Sequence, residues 1–278
     1  LKEALNAETM SDIMELSEDE IKSKLTKFND LAGPLRGDGI LPEDPYEAYK
    51  QGAVRDKIMM IGANADECRY QITNTGSTIS GFKPYMHNCY KKLLKDMPKD
   101  IRKYTENYVN NLKDKQIWKE TKFFSQLAFW IPAIEQAEIQ AEFNNVFVYY
   151  FAYPAMGNLE RAMHASEVLC ILNNMPFFED RGLRNKKLEQ VSKNIMDIWV
   201  DFAKYGDPTP KSTKWNSYNP DKNNVMVFEE NGCIKEECEF NVKVNEELWP
   251  LRDYVMNACG YYFWPTIEEQ KRYFVLCR

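Results

Sequence analysis

Histidine is nearly missing from this sequence: His87 and His164 are the only two in 278 residues. Few other side chains gain and lose a proton near neutral pH, so that task falls on these two or on perturbed carboxylates and thiols. Long apolar runs are also missing. The longest, such as Val146–Ala152 and Tyr261–Pro265, are strand-sized or shorter, far below the roughly 20 residues a helix needs to span a bilayer. No excess of positive charge exists either: 36 Lys and Arg against 42 Asp and Glu give a net charge of −6. Without a basic patch, nucleic acid is not an expected partner.

Other absences exclude less. The opening LKEALNAETM has no charged segment followed by an apolar one, so it does not read as a signal peptide. Leu rather than Met stands first, and the expectation is a start inside a longer product. No Asn-x-Ser/Thr acceptor occurs to place the compartment. The cysteines, at positions 68, 89, 170, 233, 238, 259 and 277, follow no metal-ligand spacing. Cys233 and Cys238 are the one close pair and have no histidine nearby, so no metal site is expected. Spacing leaves open whether those two form a disulfide.

What is present reads as a globular α/β chain. Hydrophobic residues make up 44% and charged residues 28%, the balance of a folded soluble domain. Ser17, with Glu20 three residues on, predicts a capped helix over Ser17–Phe28. Gly33–Pro45, dense in Gly, Pro and Asp, predicts loop. The apolar run from Lys57 to Ile61 predicts a buried strand that leaves the sheet through a turn at Gly62, Ala63 and Asn64. From Lys91 to Glu142 the pattern is helical, with breaks expected near Pro98 and Pro132. Asn145–Pro154, rich in Val, Phe and Tyr, predicts a strand stopped by Pro154. Leu188, Val191, Ile195, Ile198, Trp199 and Phe202 form the stripe of an amphipathic helix ended by Gly206 and Pro208. Asn223–Gly232 predicts a further strand with an Asn-Gly turn after it. Strands alternating with helices favour one α/β domain over 1–278, with a central, mostly parallel sheet flanked by helices.

Two residues stand where such a sheet carries chemistry. Glu67 follows the strand ending near Ile61, and His164 follows the strand at Val146–Tyr153 after a loop with Pro154 and Gly157. Open α/β sheets place functional loops at these exits. A loop glutamate is ordinarily just solvated and a lone histidine ordinarily structural, so position alone does not assign them. His87 and Cys89 sit two residues apart and do not share a face of a helix or strand, so no Cys–His pair is read there.

Five strings resemble the type-B carboxylesterases, the cholinesterase-like branch of the α/β-hydrolase fold. LRGDGILPEDPYEAYKQG is similar to their Asp-Gly…Leu-Pro segment. IGANADE resembles the strand and turn ending in the triad acid, and AMHASE the segment carrying the triad histidine. IWVDFAKYGDPTP resembles their Trp-x-x-Phe-Ala-x-x-Gly-Asp-Pro signature, and KWNSYNPDKNNVMVF their Trp-Pro-x-Tyr segment leading to an edge strand. All five occur in the family's order and span nearly the whole chain.

The resemblance implies the C-terminal portion of an α/β-hydrolase fold and hydrolysis of a small-molecule carboxylic ester through an acyl-enzyme. Glu67 would orient the imidazole and His164 would act as general base and acid, with no cofactor. Glu67 before His164 fits the order Ser, acid, His. Glu167, one helical turn past His164, is read as capping or structural. The resemblance also points to the secretory pathway or extracellular space. No Gly-x-Ser-x-Gly elbow and no Gly-rich oxyanion segment occur in the 278 residues. The expected partner is therefore an N-terminal esterase portion or chain carrying that serine. The alternative is a catalytically inactive esterase-like binding or adhesion module. Ala165 and Cys68 stand where the family has small residues, Gly after the histidine and Gly or Ser after the acid. An alanine there could push His164 out of line if the backbone needs glycine. Cys259 resembles a family cysteine whose partner precedes the Val146 strand, and no cysteine lies between Cys89 and Cys170.

Overall fold

The predicted strands at Lys57–Ile61 and Asn145–Pro154 lie side by side and parallel. The structure, a computed structural model, describes residues 5–25, 36–70, 72, 79–209 and 214–254. The chain divides into two compact units. The described part of the first lies within Leu1–Pro45. There the Glu18–Leu25 helix starts at Ser17, whose hydroxyl accepts the Glu20 N–H while the Glu20 carboxylate accepts the Ser17 N–H, the reciprocal capping box expected. The rest of the predicted helix, 26–28, lies outside the described residues, as do Cys259 and Cys277.

The second unit, Tyr46–Cys259, holds a four-stranded sheet in the order β1-β2-β3-β4. These are β1 Met59–Asn64, β2 Val146–Phe151, β3 Val225–Phe228 and β4 Ile234–Glu237. β1, β2 and β3 are parallel, with Met59 opposite Val146 and Tyr149 opposite Met226, and β4 returns antiparallel to β3. The sheet is thus mostly parallel, as the alternation of strands and helices implied.

Both faces of the sheet are covered, which explains why β2 and β3 are apolar at every position rather than at alternate ones. Val146, Val148, Val225 and Val227 share one core with Phe123, Leu127, Trp130, Ile131 and Ile134. Phe147, Phe151, Met226 and Phe228 share the other with Leu188, Val191, Ile195 and Ile198 from the Lys186–Tyr205 helix. That helix opens on Asn185, whose side chain accepts from the Lys187 and Leu188 N–H groups, and closes on Gly206 at φ +68°. A left-handed C-terminal residue suits glycine because it has no Cβ to clash.

Several elements differ from the sequence expectation. β1 runs through Gly62 and Ala63 to Asn64 rather than turning there. Gly62 is in the strand for close approach: a Cβ on it would lie 2.2 Å from the Tyr149 carbonyl oxygen. Pro98 breaks the helices Ile79–Asp96 and Lys99–Asn111, but Pro132 breaks nothing. A π-helical turn, Gln126–Trp130, precedes the Ile131–Ala141 helix and admits the proline within its first turn, where a missing N–H is tolerated. β2 stops at Phe151, before Pro154. Asn223–Gly232 shortens to β3, and β4 follows it. Cys233 and Cys238 are exposed thiols without a bridge. They flank the extended β4, so they are separated by about 16 Å at 3.3 Å per residue, beyond the roughly 7 Å reach of a disulfide.

Candidate active site

Because β1 and β2 are parallel and in register, with Asn64 opposite Phe151, the segments that follow them emerge at the same edge. After β1 the chain turns at Ala65 and Asp66 into a short 3-10 helix, Glu67–Tyr70. After β2 it passes Pro154 and a single helical turn, Gly157–Glu160, to reach His164. Three main-chain bonds join the two exits. The Ala65 N–H donates to Phe151 O at 2.8 Å, Asp66 N–H to Ala162 O at 3.1 Å, and His164 N–H to Glu67 O at 3.1 Å.

The side chains meet as well. His164 Nδ1 lies 2.7 Å from Glu67 Oε2, although 97 residues separate the two. The other carboxylate oxygen, Oε1, accepts the Asn64 N–H at 2.8 Å. Glu67 is buried, its side chain 6% exposed, whereas that of His164 is 51% exposed. An acceptor on Nδ1 selects the tautomer with hydrogen there and leaves Nε2 for a reacting group. Hydrogen-bonding to Glu67 raises the imidazole above its ordinary pKa. Burial of the ring opposes this, and the charges of Glu67 and Glu167 add to the rise.

Two aromatic rings flank the imidazole: Tyr70, with ring centroids 5.5 Å apart, and Phe129, at 5.3 Å. Tyr70 comes from the 3-10 helix that begins with Glu67, and Phe129 from the π-helical turn. π-turns recur at functional sites because the extra residue re-aims a side chain. Neither ring stands out in the sequence, where Phe129 is one more apolar residue of a helical pattern.

Glu167 stands in the first turn of the Ser166–Ile171 helix, and its carboxylate takes a bond from the N–H of Glu167 itself. Its carboxylate accepts from Asn64 Nδ2, which also donates to Met163 O at 2.8 Å. Burial pushes the Glu167 carboxyl above the usual range, and the Asn64 bond opposes that. Asn64 thus bridges the exits of both loops, main chain to Glu67 and side chain to Met163 and Glu167. Ala165 takes φ +62°, a left-handed conformation. The backbone does favour glycine there, yet His164 keeps its bond to Glu67. Cys68 is buried, and its N–H donates to Ser125 Oγ at 3.0 Å.

His87 lies on the Ile79–Asp96 helix, where Nδ1 is 2.8 Å from Glu120 Oε1 and the side chain is half exposed. Among the described residues, no three His, Cys, Asp or Glu side chains gather as a metal site. No described helix is long and apolar enough to cross a membrane.

The family model described as "Carboxylesterase family" matches residues 1–245. The chain is 22% identical over 220 residues to para-nitrobenzyl esterase of Bacillus subtilis (strain 168), covering 76% of this chain and 42% of that protein. It is 24% identical over 208 residues to acylcarnitine hydrolase of Mus musculus, covering 69% and 36%. Among solved structures it resembles the carboxylesterase EST55 of Geobacillus stearothermophilus, with a TM-score of 0.68 and 16% identity over 89% of this chain and 52% of that one. That likeness is one of α/β-hydrolase fold, and the chain spans about half the length of the proteins it matches, or less.

Proposed function

We propose, taking as premise that the chain belongs to the carboxylesterase family, that it supplies the acid and the histidine of a serine carboxylic-ester hydrolase. The observation that carries this reading is the 2.7 Å contact between His164 Nδ1 and Oε2 of the buried Glu67. Glu67 is the orienting carboxylate and His164 the general base and acid. The nucleophilic serine, in a Gly-x-Ser-x-Gly elbow, and the oxyanion donors come from an N-terminal portion or separate chain outside these 278 residues.

In this mechanism the serine oxygen attacks the ester carbonyl carbon as His164 Nε2 takes its proton. Glu67 stabilises the imidazolium that forms and holds the ring in one tautomer. The tetrahedral intermediate then expels the alkoxide, which receives the proton from His164 and leaves as the alcohol. A water molecule, deprotonated by the same nitrogen, attacks the acyl-enzyme and releases the acid and the free serine. The substrate class is a small-molecule carboxylic ester.

The native mass of the purified protein, compared with its denatured mass, tests the assembly. A native species well above 32.7 kDa that also contains a segment with the elbow serine, and that hydrolyses a chromogenic ester, is expected. A native mass equal to this chain alone, or a homodimer, without esterase activity would replace this reading with that of a binding module.

A further inference from the structure

We infer that Arg161 is a positioning residue that clamps the Glu67 loop to the His164 loop through the carboxylate of Asp66. This rests on reading Glu67 and His164 as a catalytic pair. Asp66 immediately precedes Glu67, and both of its oxygens are engaged. Oδ1 lies 2.8 Å from Arg69 Nε, within the same loop. Oδ2 lies 3.1 Å from Arg161 Nε, on the loop that leads to His164. The same Arg161 guanidinium reaches Glu230, just past β3. One side chain therefore ties together the segments that leave β1, β2 and β3 at a single edge of the sheet.

The Asp66 half of the clamp is built into the fold, whereas the Glu230 side chain is exposed. Side-chain exposure is 9% for Arg69, 14% for Asp66 and 25% for Arg161. The Arg69 guanidinium lies 4.1 Å over the Trp118 ring and donates to Leu159 O at 3.0 Å. That fixes the near side of Asp66. Arg184 provides the contrast. It also pairs with two carboxylates, Glu179 and Glu189, but each lies five residues away in the sequence and all three side chains are at least 42% exposed. Such a local, solvated pair organises little beyond itself.

The backbone at Arg161 adds a second, independent sign. Its φ of +54° and ψ of −125° fall where side chains are rarely found. The conformation is held by bonds from Arg161 N–H to Gly157 O at 3.1 Å and from Met156 N–H to Arg161 O at 3.0 Å. Glycine would relieve the strain, so arginine at this position is explained by what its side chain does. One residue beyond the clamp the two loops are bonded at Asp66–Ala162, and then at Glu67–His164. A shift of the clamp is transmitted directly to the carboxylate and the imidazole.

The near-absence of histidine makes the test direct. The protein, carrying any partner it is purified with, is labelled at histidine in this chain only, and the two imidazole signals are titrated by NMR. His87 serves as the internal reference. Glu67→Gln should lower the His164 midpoint, because Glu67 is the first cause of its rise. An unresponsive His164 would overturn the pair and this inference with it. Arg161→Gln separates the two. A clamp predicts that the His164 midpoint falls by about 0.5–1 unit as Glu67 loosens. Loss of a nearby positive charge alone predicts a rise, because a cation disfavours the imidazolium. Glu67, Glu167 and the Tyr70 ring remain around His164 in the variant, and His87 should not move.

Arg161→Lys keeps the charge without the planar fork that spans Asp66 and Glu230, so a smaller fall is expected. Arg184→Gln should leave His164 unchanged. If thermal unfolding shows that Arg161→Gln does not fold, Arg161→Lys decides. A His164 midpoint at or above wild type in the folded Arg161 variants, with Glu67→Gln still effective, would overturn the clamp while leaving the catalytic pair intact.

Discussion

His164 and Glu67 are joined twice, once through the main chain and once through their side chains. The His164 N–H donates to the Glu67 carbonyl at 3.1 Å, and His164 Nδ1 sits 2.7 Å from Glu67 Oε2. The backbone bond sets the spacing of the loops, so the side-chain contact does not rely on two flexible segments meeting by chance. Pre-set geometry of this kind is what general acid–base catalysis requires.

Glu67→Gln keeps the shape of the side chain and removes its charge. Under the proposed mechanism it should lower kcat on a chromogenic ester by about 10³–10⁴-fold with little change in KM, as loss of an orienting carboxylate does. Steady-state kinetics check this. A loss of less than tenfold would remove Glu67 from the mechanism.

The pH dependence follows from the raised imidazole pKa. If His164 is the general base proposed above, it must be neutral to act, so kcat/KM should rise with pH through a midpoint above the ordinary value of 6.5. Glu67→Gln should move that midpoint down. Stability runs in the opposite sense. A folded-state pKa above the unfolded one means the folded chain holds the proton more tightly. The stabilisation is full below pH 6.5 and is lost as the pH rises through the folded value. Urea midpoints on either side of neutrality, for the chain and for Glu67→Gln, read this difference.

Ala165→Gly should stabilise the protein. At φ +62° an alanine Cβ costs about 1–2 kcal/mol relative to glycine, and the greater freedom of glycine in the unfolded chain offsets about 0.4–1 kcal/mol. A net gain of about 0.5–1 kcal/mol in chemical denaturation is expected, with kcat unchanged or slightly raised. Destabilisation would mean that the alanine methyl makes packing contacts worth more than the strain.

Gly62→Ala should do the reverse. The added methyl meets Tyr149 O at 2.2 Å and the Tyr149 ring at 2.5 Å, so β1 and β2 must separate where their exits are coordinated. Overpacking of this kind costs about 1–3 kcal/mol. Thermal unfolding should show the loss, and the proposed esterase activity should fall with it because both loops follow these strands.

The elements legible in the sequence are those whose apolar residues follow one regular pattern along their length. β2, VFVYYF, is apolar at every position because helices cover both faces. Leu188, Val191, Ile195 and Ile198 of the stripe are all buried on their helix, which also buries Ser192 between them. β4, IKEE, carries no such mark because a charged edge strand looks like a loop. The break expected at Pro132 fails because a π-helical turn, which no local pattern announces, absorbs it. Glu67 and His164 could be picked out as strand-exit residues and matched to a family. Phe129, Asn64 and Arg161 could not, since their places depend on which loops become neighbours.

The strands are added in space in the order in which the chain is written, β1 then β2, β3 and β4. Each described strand after β1 joins a neighbour that has already been synthesised, and none must insert between two that are paired. As the chain emerges during synthesis, this sheet can therefore grow outward one strand at a time. It ends on a strand whose Lys235 is held by Glu229 and Glu237, a charged border that discourages any further strand. Among the described strands, growth has a direction, and the charged β4 borders it on one side.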